Sequence, residues 1–209
     1  MTNPAPSGQI GVETPRAPAC YDLIAFAASA GGLDALTRIL AALPATLQVP
    51  IAIVLHRTAH QPQLLPRILG RATARRVKAA EDGEPLRPNT VYVAPPDLHL
   101  IVRPDHTLQF SDGQRIKFVL SSANPLLESA ARVLKDRVIA VVLTGGGSDG
   151  TDGVQAVKQV GGIVIAQTPE EAECAGMPTA AIKTGAVDYV VPLDDIAALL
   201  TRLTARGSE

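Results

Sequence analysis

Aromatic side chains are scarce in this chain. They make up 3% of its 209 residues, and tryptophan is absent. That argues against a nucleic-acid platform built on stacked rings, and it leaves the core to Val, Ile, Leu and Ala. Cysteine is almost missing as well. Cys20 and Cys174 are the two present, with neither a metal-ligand nor a CxxC spacing, so no disulfide framework is expected and a reducing, cytoplasmic setting fits. No sign of charge dominates: the formal net charge is −1, and no basic run exists to neutralise a phosphate backbone. The "ARR" of Ala74–Arg76 reads as solvated surface. No apolar run reaches the roughly 20 residues that span a bilayer. The stretch from Leu23 to Leu43 comes nearest, and Asp34, Thr37 and Arg38 interrupt it. The amino terminus lacks the basic-then-apolar order of a secretory signal. A soluble protein is expected, with neither nucleic acid nor a membrane interior as partner.

What is present is a globular composition, 46% hydrophobic and 19% charged. Residues 1–20 are rich in Pro, Gly, Ser and Thr without any period, which predicts a flexible tail ahead of one domain over 21–205. From Asp22 onward, apolar runs of strand length alternate with helical periods. "LIAFA" precedes Leu33, Leu36, Ile39, Leu40 and Leu43; "IAIVL" precedes Leu64, Leu65, Ile68 and Leu69. "VIAVVL" precedes Val154, Val157 and Val160, "GIVIAQ" precedes "MPTAAIKTG", and "DYVVPL" precedes a last helix over Ile196–Leu203. Strands this uniformly apolar are covered on both faces. The prediction is an α/β fold: a doubly wound, mostly parallel sheet with crossover helices. The middle of the chain, from Arg76 to Gly113, carries short β-prone pieces broken by DG, RP, PP and PD turns, and predicts an appended antiparallel β-hairpin region. "NPLLESAARVLKD" restarts helix, with Asn124 as N-cap and Pro125 first in the helix.

Ligands of an open parallel sheet bind outside the carboxyl ends of its strands. Ser29 follows the first strand in "AASAGG", His56 follows the second in "VLHRT", and Ser148 and Asp149 follow a later one in "TGGGSDGTDG". A serine, a histidine and an aspartate are the parts of a nucleophile, its general base and the base's orienting partner. Gly31 and Gly32 would let the backbone bend and a substrate approach, and helix-opening N–H groups favour a developing oxyanion. Ser29 also fits an ordinary N-cap, and His56 a structural histidine. His60 and His106 read as solvated loop residues; His99, in the hairpin region, is a candidate for the cleft wall. The glycine-rich segment lacks the lysine of a phosphate loop and the closing glutamate of a calcium loop, so no metal is expected. Asp149 either stands behind His56 or caps a helix, as does Ser148. In the first case Gly146 offers a second oxyanion donor. Asp152 reads as a first-turn charge favouring the helix dipole.

These residues sit in spaced motifs that resemble the catalytic domain of CheB-type protein-glutamate methylesterases. The markers are "SAGGLDAL" at Ser29–Leu36, "VLHR" at Val54–Arg57 and "AEDGEPLRPNTVYVAPPDLHL" at Ala80–Leu100. They continue with "VVLTGGGSDGTDGVQAVKQVGG" at Val141–Gly162 and "AQTPEEAECAGMPTAAIKTGAVDYVV" at Ala166–Val191. The similarity is greatest to the branch that carries SAGG. It implies a catalytic domain over 21–205, with Ser29 as nucleophile, His56 as base and Asp149 as its partner. Oxyanion donors would lie at Ala30 and Gly146, and Gly31, Gly32, Ser148, Met177 and His99 would line or flank the cleft. The implied reaction hydrolyses γ-glutamyl methyl esters on methyl-accepting chemoreceptors and deamidates receptor glutamines, with no metal or organic cofactor. A chemotaxis methyltransferase or a histidine-kinase complex are further implied partners. Another methyl-esterified protein as substrate, or a non-catalytic interaction module, are the alternatives. Three features depart from the family pattern. An amino-terminal receiver domain is replaced by the short tail, so control by its phosphorylation is not expected. Gly146 stands where a methionine is usual, and "KFVLSSAN" replaces a basic, proline-bearing segment.

Overall fold

Four apolar runs of the sequence become strands buried from end to end. The computed structural model describes residues 21–56, 64–111 and 121–205. The chain forms β1 (Leu23–Ala28), α1 (Gly32–Ala42), β2 (Ile51–Leu55), α2 (Leu65–Gly70), β3 (Arg76–Ala79), β4 (Thr90–Val93), β5 (His99–Val102) and β6 (Leu108–Ser111). It continues with α3 (Ala123–Leu134), β7 (Val138–Val142), α4 (Thr151–Gln159), β8 (Ile163–Gln167), α5 (Gly176–Lys183), β9 (Tyr189–Val191) and α6 (Leu193–Ala205). Strands β1, β2, β7 and β8 are those runs, and the shorter β4 is buried throughout as well.

Seven strands form one parallel sheet in the order β3-β4-β2-β1-β7-β8-β9, and β5 pairs with β6 in a separate antiparallel sheet. The middle region therefore splits. Its carboxyl-terminal half is the expected hairpin, whereas β3 and β4 join the main sheet in parallel, β3 at its edge and β4 between β3 and β2. The sequence hides this because "RVKA" and "TVYV" are four-residue pieces joined by a turn-rich loop, which from composition looks like any hairpin connection.

Each face of the sheet has its own core. Leu36, Ile39 and Leu40 of α1 and Ile196, Leu199 and Leu200 of α6 pack with Ile24, Phe26 and Ile53 on one side. On the other, Leu126, Leu127 and Ala130 of α3 and Val154 and Val157 of α4 pack with Leu23, Ala25, Val54 and Val142. Burying one such side chain stabilises the fold by about 1.5–3 kcal/mol, so helix placement is decided by these stripes. Leu33, Leu64 and Ile68 fall outside them and are exposed. In the six-residue helix α2, Leu65 and Leu69 face inward, and Leu64 and Ile68 form the opposite i,i+4 pair.

Two local readings change. Arg75 is buried, not solvated: its guanidinium donates to Asn89 Oδ1 at 3.2 Å and to the Pro44 carbonyl at 2.8 Å, tying the entry of β3 to the loop after α1. Arg76 next to it is exposed. The N-cap of α3 is Ser122, whose Oγ accepts the Asn124 N–H at 3.2 Å. Asn124 instead lies inside the helix, accepting the Gly153 N–H at 2.9 Å and donating to Asp152 Oδ2 at 3.3 Å. That bridge accompanies a close helix crossing, because a Cβ on Gly153 would lie 2.5 Å from Leu127 Cβ. The crossing carries the start of α3 to the loop after β7. The tail over 1–20 with Cys20, the residues around His60, and Lys117–Leu120 lie outside the described residues.

Candidate active site

Strand order puts the site at the point where the sheet is wound in both directions. Successive crossovers from β1 run to β2 on one side, and the second half of the chain returns through β7 on the other. Register then aligns the residues just past the strand ends. Ala28 pairs with Leu55 and Ala27 with Val142, so Ser29 and His56 leave the sheet side by side. Beyond the strands the ladder continues: His56 N–H donates to the Ala28 carbonyl and Ser29 N–H to the Thr144 carbonyl, both at 3.0 Å. The backbone of Ser29 is thereby fixed between its two neighbours.

The helix after Ser29 does not use the serine hydroxyl as a cap. Its N-cap is Gly31, in the left-handed region at φ 75° and without a side-chain cap bond. A side chain at Gly31 would be strained by that φ and would collide with Glu173, whose Oε2 lies 2.7 Å from the Cβ position. Gly32 serves packing, since its Cβ would meet Ala28 Cβ and Leu55 Cδ1, each at 2.7 Å. It is buried and forms no part of a cleft wall.

His56 Nε2 bonds Asp149 Oδ2 at 2.8 Å. Asp149 is 4% exposed and draws further donors from the start of α3. The Ala123 N–H reaches Oδ2 at 2.7 Å, and the Ser122 hydroxyl donates to Oδ1. Burial alone would raise the Asp149 pKa, but the His56 bond, then the Ala123 N–H and the Ser122 hydroxyl, outweigh it and hold the group below the usual carboxylate range. The carboxylate is therefore ionised wherever the protein is folded near neutrality. With Nε2–H given to that acceptor, Nδ1 is the basic nitrogen of the ring.

The loop after β7 wraps the serine. The Thr144 hydroxyl donates to the Ala30 carbonyl at 2.9 Å and accepts the Cys174 N–H at 2.8 Å, while its own N–H donates to Gln167 Oε1 at 2.9 Å. Gly145 N–H donates to the Cys174 carbonyl at 2.9 Å, and Met177 N–H to the Gly145 carbonyl at 2.8 Å. A Cβ at Gly145 would lie 2.8 Å from Ser29 Cβ and 2.2 Å from the sulfur of Met177. Met177 is wholly buried, so it backs this loop from the core and does not line a cleft. Because Ser29 Cβ is fixed and Met177 has no outlet, Gly145→Ala must shift the loop. Displacements of that kind cost about 10²-fold in rate, and turnover at this site by the folded variant should fall by that much.

Ala30 and Gly146 are both exposed, and among the described residues no acceptor takes the N–H of either. Ser148 is exposed, with its carbonyl taken by Thr151. His99, by contrast, is not at the surface: it is 2% exposed, and Nδ1 accepts the Ser122 N–H at 3.2 Å. Ser122, Thr144 and Gly145 escaped the sequence reading. The one signal for Ser122 was a serine ahead of an N-terminal proline, obscured by the better-looking cap Asn124.

The model of the CheB methylesterase family matches residues 24–200, from the first strand into the last helix. A Leptospira interrogans protein named putative protein-glutamate methylesterase/protein-glutamine glutaminase is 41% identical over 189 residues, covering 90% of this chain and 98% of that protein. A Caulobacter vibrioides protein-glutamate methylesterase/protein-glutamine glutaminase is 38% identical over 84% of this chain. The chain spans 52% of that longer relative. The crystal structure of the Thermotoga maritima CheB methylesterase catalytic domain superposes with a TM-score of 0.83 at 35% identity, over 88% of this chain and 98% of that one. Matched in sequence across its whole parallel sheet and in shape to a solved catalytic domain, this chain belongs to the CheB methylesterase family.

Proposed function

We propose that the chain is a serine esterase that hydrolyses γ-glutamyl methyl esters on methyl-accepting chemoreceptors, releasing methanol. The observation that carries this reading is the His56–Asp149 bond set one strand away from Ser29. The names of the relatives give the ester its chemical class.

In this mechanism Ser29 Oγ attacks the γ-carbonyl carbon while its proton passes to His56 Nδ1. Asp149 holds the ring from the opposite side and balances the imidazolium. The N–H groups of Ala30 and Gly146 receive the oxyanion, each worth about 10²–10³ in rate. The tetrahedral centre collapses, the C–O bond to methoxide breaks, and His56 returns the proton so that methanol leaves. Water then repeats the sequence on the glutamyl-Ser29 ester, giving glutamate and the free hydroxyl. A glutamine γ-amide takes the same course with ammonia as leaving group. No step calls for a metal or an organic cofactor. Among the described residues no helix is long and apolar enough to cross a membrane, and the proposed setting is the cytoplasmic side, where a methyltransferase or histidine-kinase complex would share the receptor.

Incubation with methylated chemoreceptor membranes tests this directly. Methanol release, with a fluorophosphonate bound covalently at Ser29, supports it. Labelling at Ser29 without methanol would redirect the esterase to another methyl-esterified protein. Neither would leave the chain as a binding module.

A further inference from the structure

We propose that Ser122 is a positioning residue of this site, turning the Asp149 carboxylate so that one of its oxygens meets both His56 and the first N–H of α3. The inference rests on the esterase reading for its consequence in rate, and on geometry alone for the hold itself. Asp149 Oδ2 takes two donors, His56 at 2.8 Å and the Ala123 N–H at 2.7 Å. A carboxylate held at one oxygen can still rotate about its Cβ–Cγ bond. The Ser122 hydroxyl, donating to Oδ1, pins the second oxygen and fixes the plane.

The serine has little choice of partner. Its Oγ accepts the Asn124 N–H at 3.2 Å, which leaves its single proton to point at Asp149. Its own N–H donates to His99 Nδ1 at 3.2 Å. Ser122 is wholly buried and His99 nearly so. A chain of contacts thus runs from β5, in the small antiparallel sheet, through His99 and Ser122 to Asp149 and His56. Backing the carboxylate is a task for the appended hairpin that its sequence did not disclose.

Ser122 also caps α3, and a mere cap is the competing explanation. Ser122→Gly separates the two, because glycine is nearly as good an N-cap but has no hydroxyl. The variant should lower kcat for methanol release, or the rate of Ser29 phosphonylation, by about tenfold with KM within about twofold, as expected for loss of one hydrogen bond to a charged group. In an Asp149→Ala background the same substitution should cost nothing further, since Ser122 acts through that carboxylate. An additive loss would overturn the proposal. The side-chain carboxyl of Asp149, monitored by ¹³C NMR against pH, supplies a readout independent of turnover: its midpoint should rise in Ser122→Gly. An unchanged midpoint would overturn the proposal even if wild type proves inactive, and inactivity with a raised midpoint would overturn the esterase reading alone.

Discussion

Replacing Ser29 with alanine is expected to lower kcat for methanol release by about 10⁶-fold, the loss seen when a serine nucleophile is removed from a triad. The fold should survive. The hydroxyl caps no helix, and the Ser29 N–H bond to the Thr144 carbonyl belongs to the backbone. Thermal unfolding should therefore shift little, which separates lost chemistry from lost structure. KM should change little too, because the hydroxyl acts on the carbonyl carbon in the transition state and contributes little to ground-state binding. Turnover equal to wild type in the alanine variant would remove Ser29 from the mechanism and the triad with it.

Much of this site was legible because parallel strands fix positions well. Once "LIAFA", "IAIVL" and "VIAVVL" are buried neighbours, the residues at their carboxyl ends must share an edge, and Ser29, His56 and Asp149 come from those ends. The same logic explains where legibility stops. Periodicity marks Leu64, Leu65, Ile68 and Leu69 as helical but does not say which of the two i,i+4 pairs turns inward; the fold buries Leu65 and Leu69 and leaves Leu64 and Ile68 exposed. Composition separates a turn from a strand but not a short parallel strand from one arm of a hairpin, so β3 and β4 were misread.

Polar residues with interior duties were the least visible. Arg75 looked like surface because arginine usually is, and its burial depends on carbonyl and amide partners 31 and 14 residues away in sequence. His99 was a cleft candidate from the hairpin region, and Met177 one implied by the family resemblance. Both lie in the interior, one under Ser122 and the other under Gly145. Residues that hold a site from behind carry no motif of their own, since their role is defined by partners that only folding brings near.

Asp149→Ala should be the next most damaging change after loss of the nucleophile, about 10⁴-fold in kcat, and it should expose how the carboxylate works. Alanine removes both the charge and the acceptor that keeps the His56 proton on Nε2. Asparagine divides these effects. The Ala123 N–H cannot turn away, so the amide oxygen must occupy the Oδ2 position, where it also accepts from His56 Nε2. The amide NH₂ then faces Ser122, whose hydroxyl can rotate to accept. Asp149→Asn should therefore keep the productive tautomer, lose only the charge that stabilises the imidazolium, and stay at least tenfold more active than Asp149→Ala, an interval of about 1.4 kcal/mol. Stability gives a second check with a fixed sign. The Asp149 pKa is lowered on folding from an ordinary value of 3.8, so its ionisation stabilises the native state above that value. The contribution fades as pH falls through the lower folded value. Denaturant unfolding at pH 7 and again in strong acid should show wild type losing stability between the two, and Asp149→Asn losing less. Equal losses would mean that another carboxylate sets the acid limit of this fold.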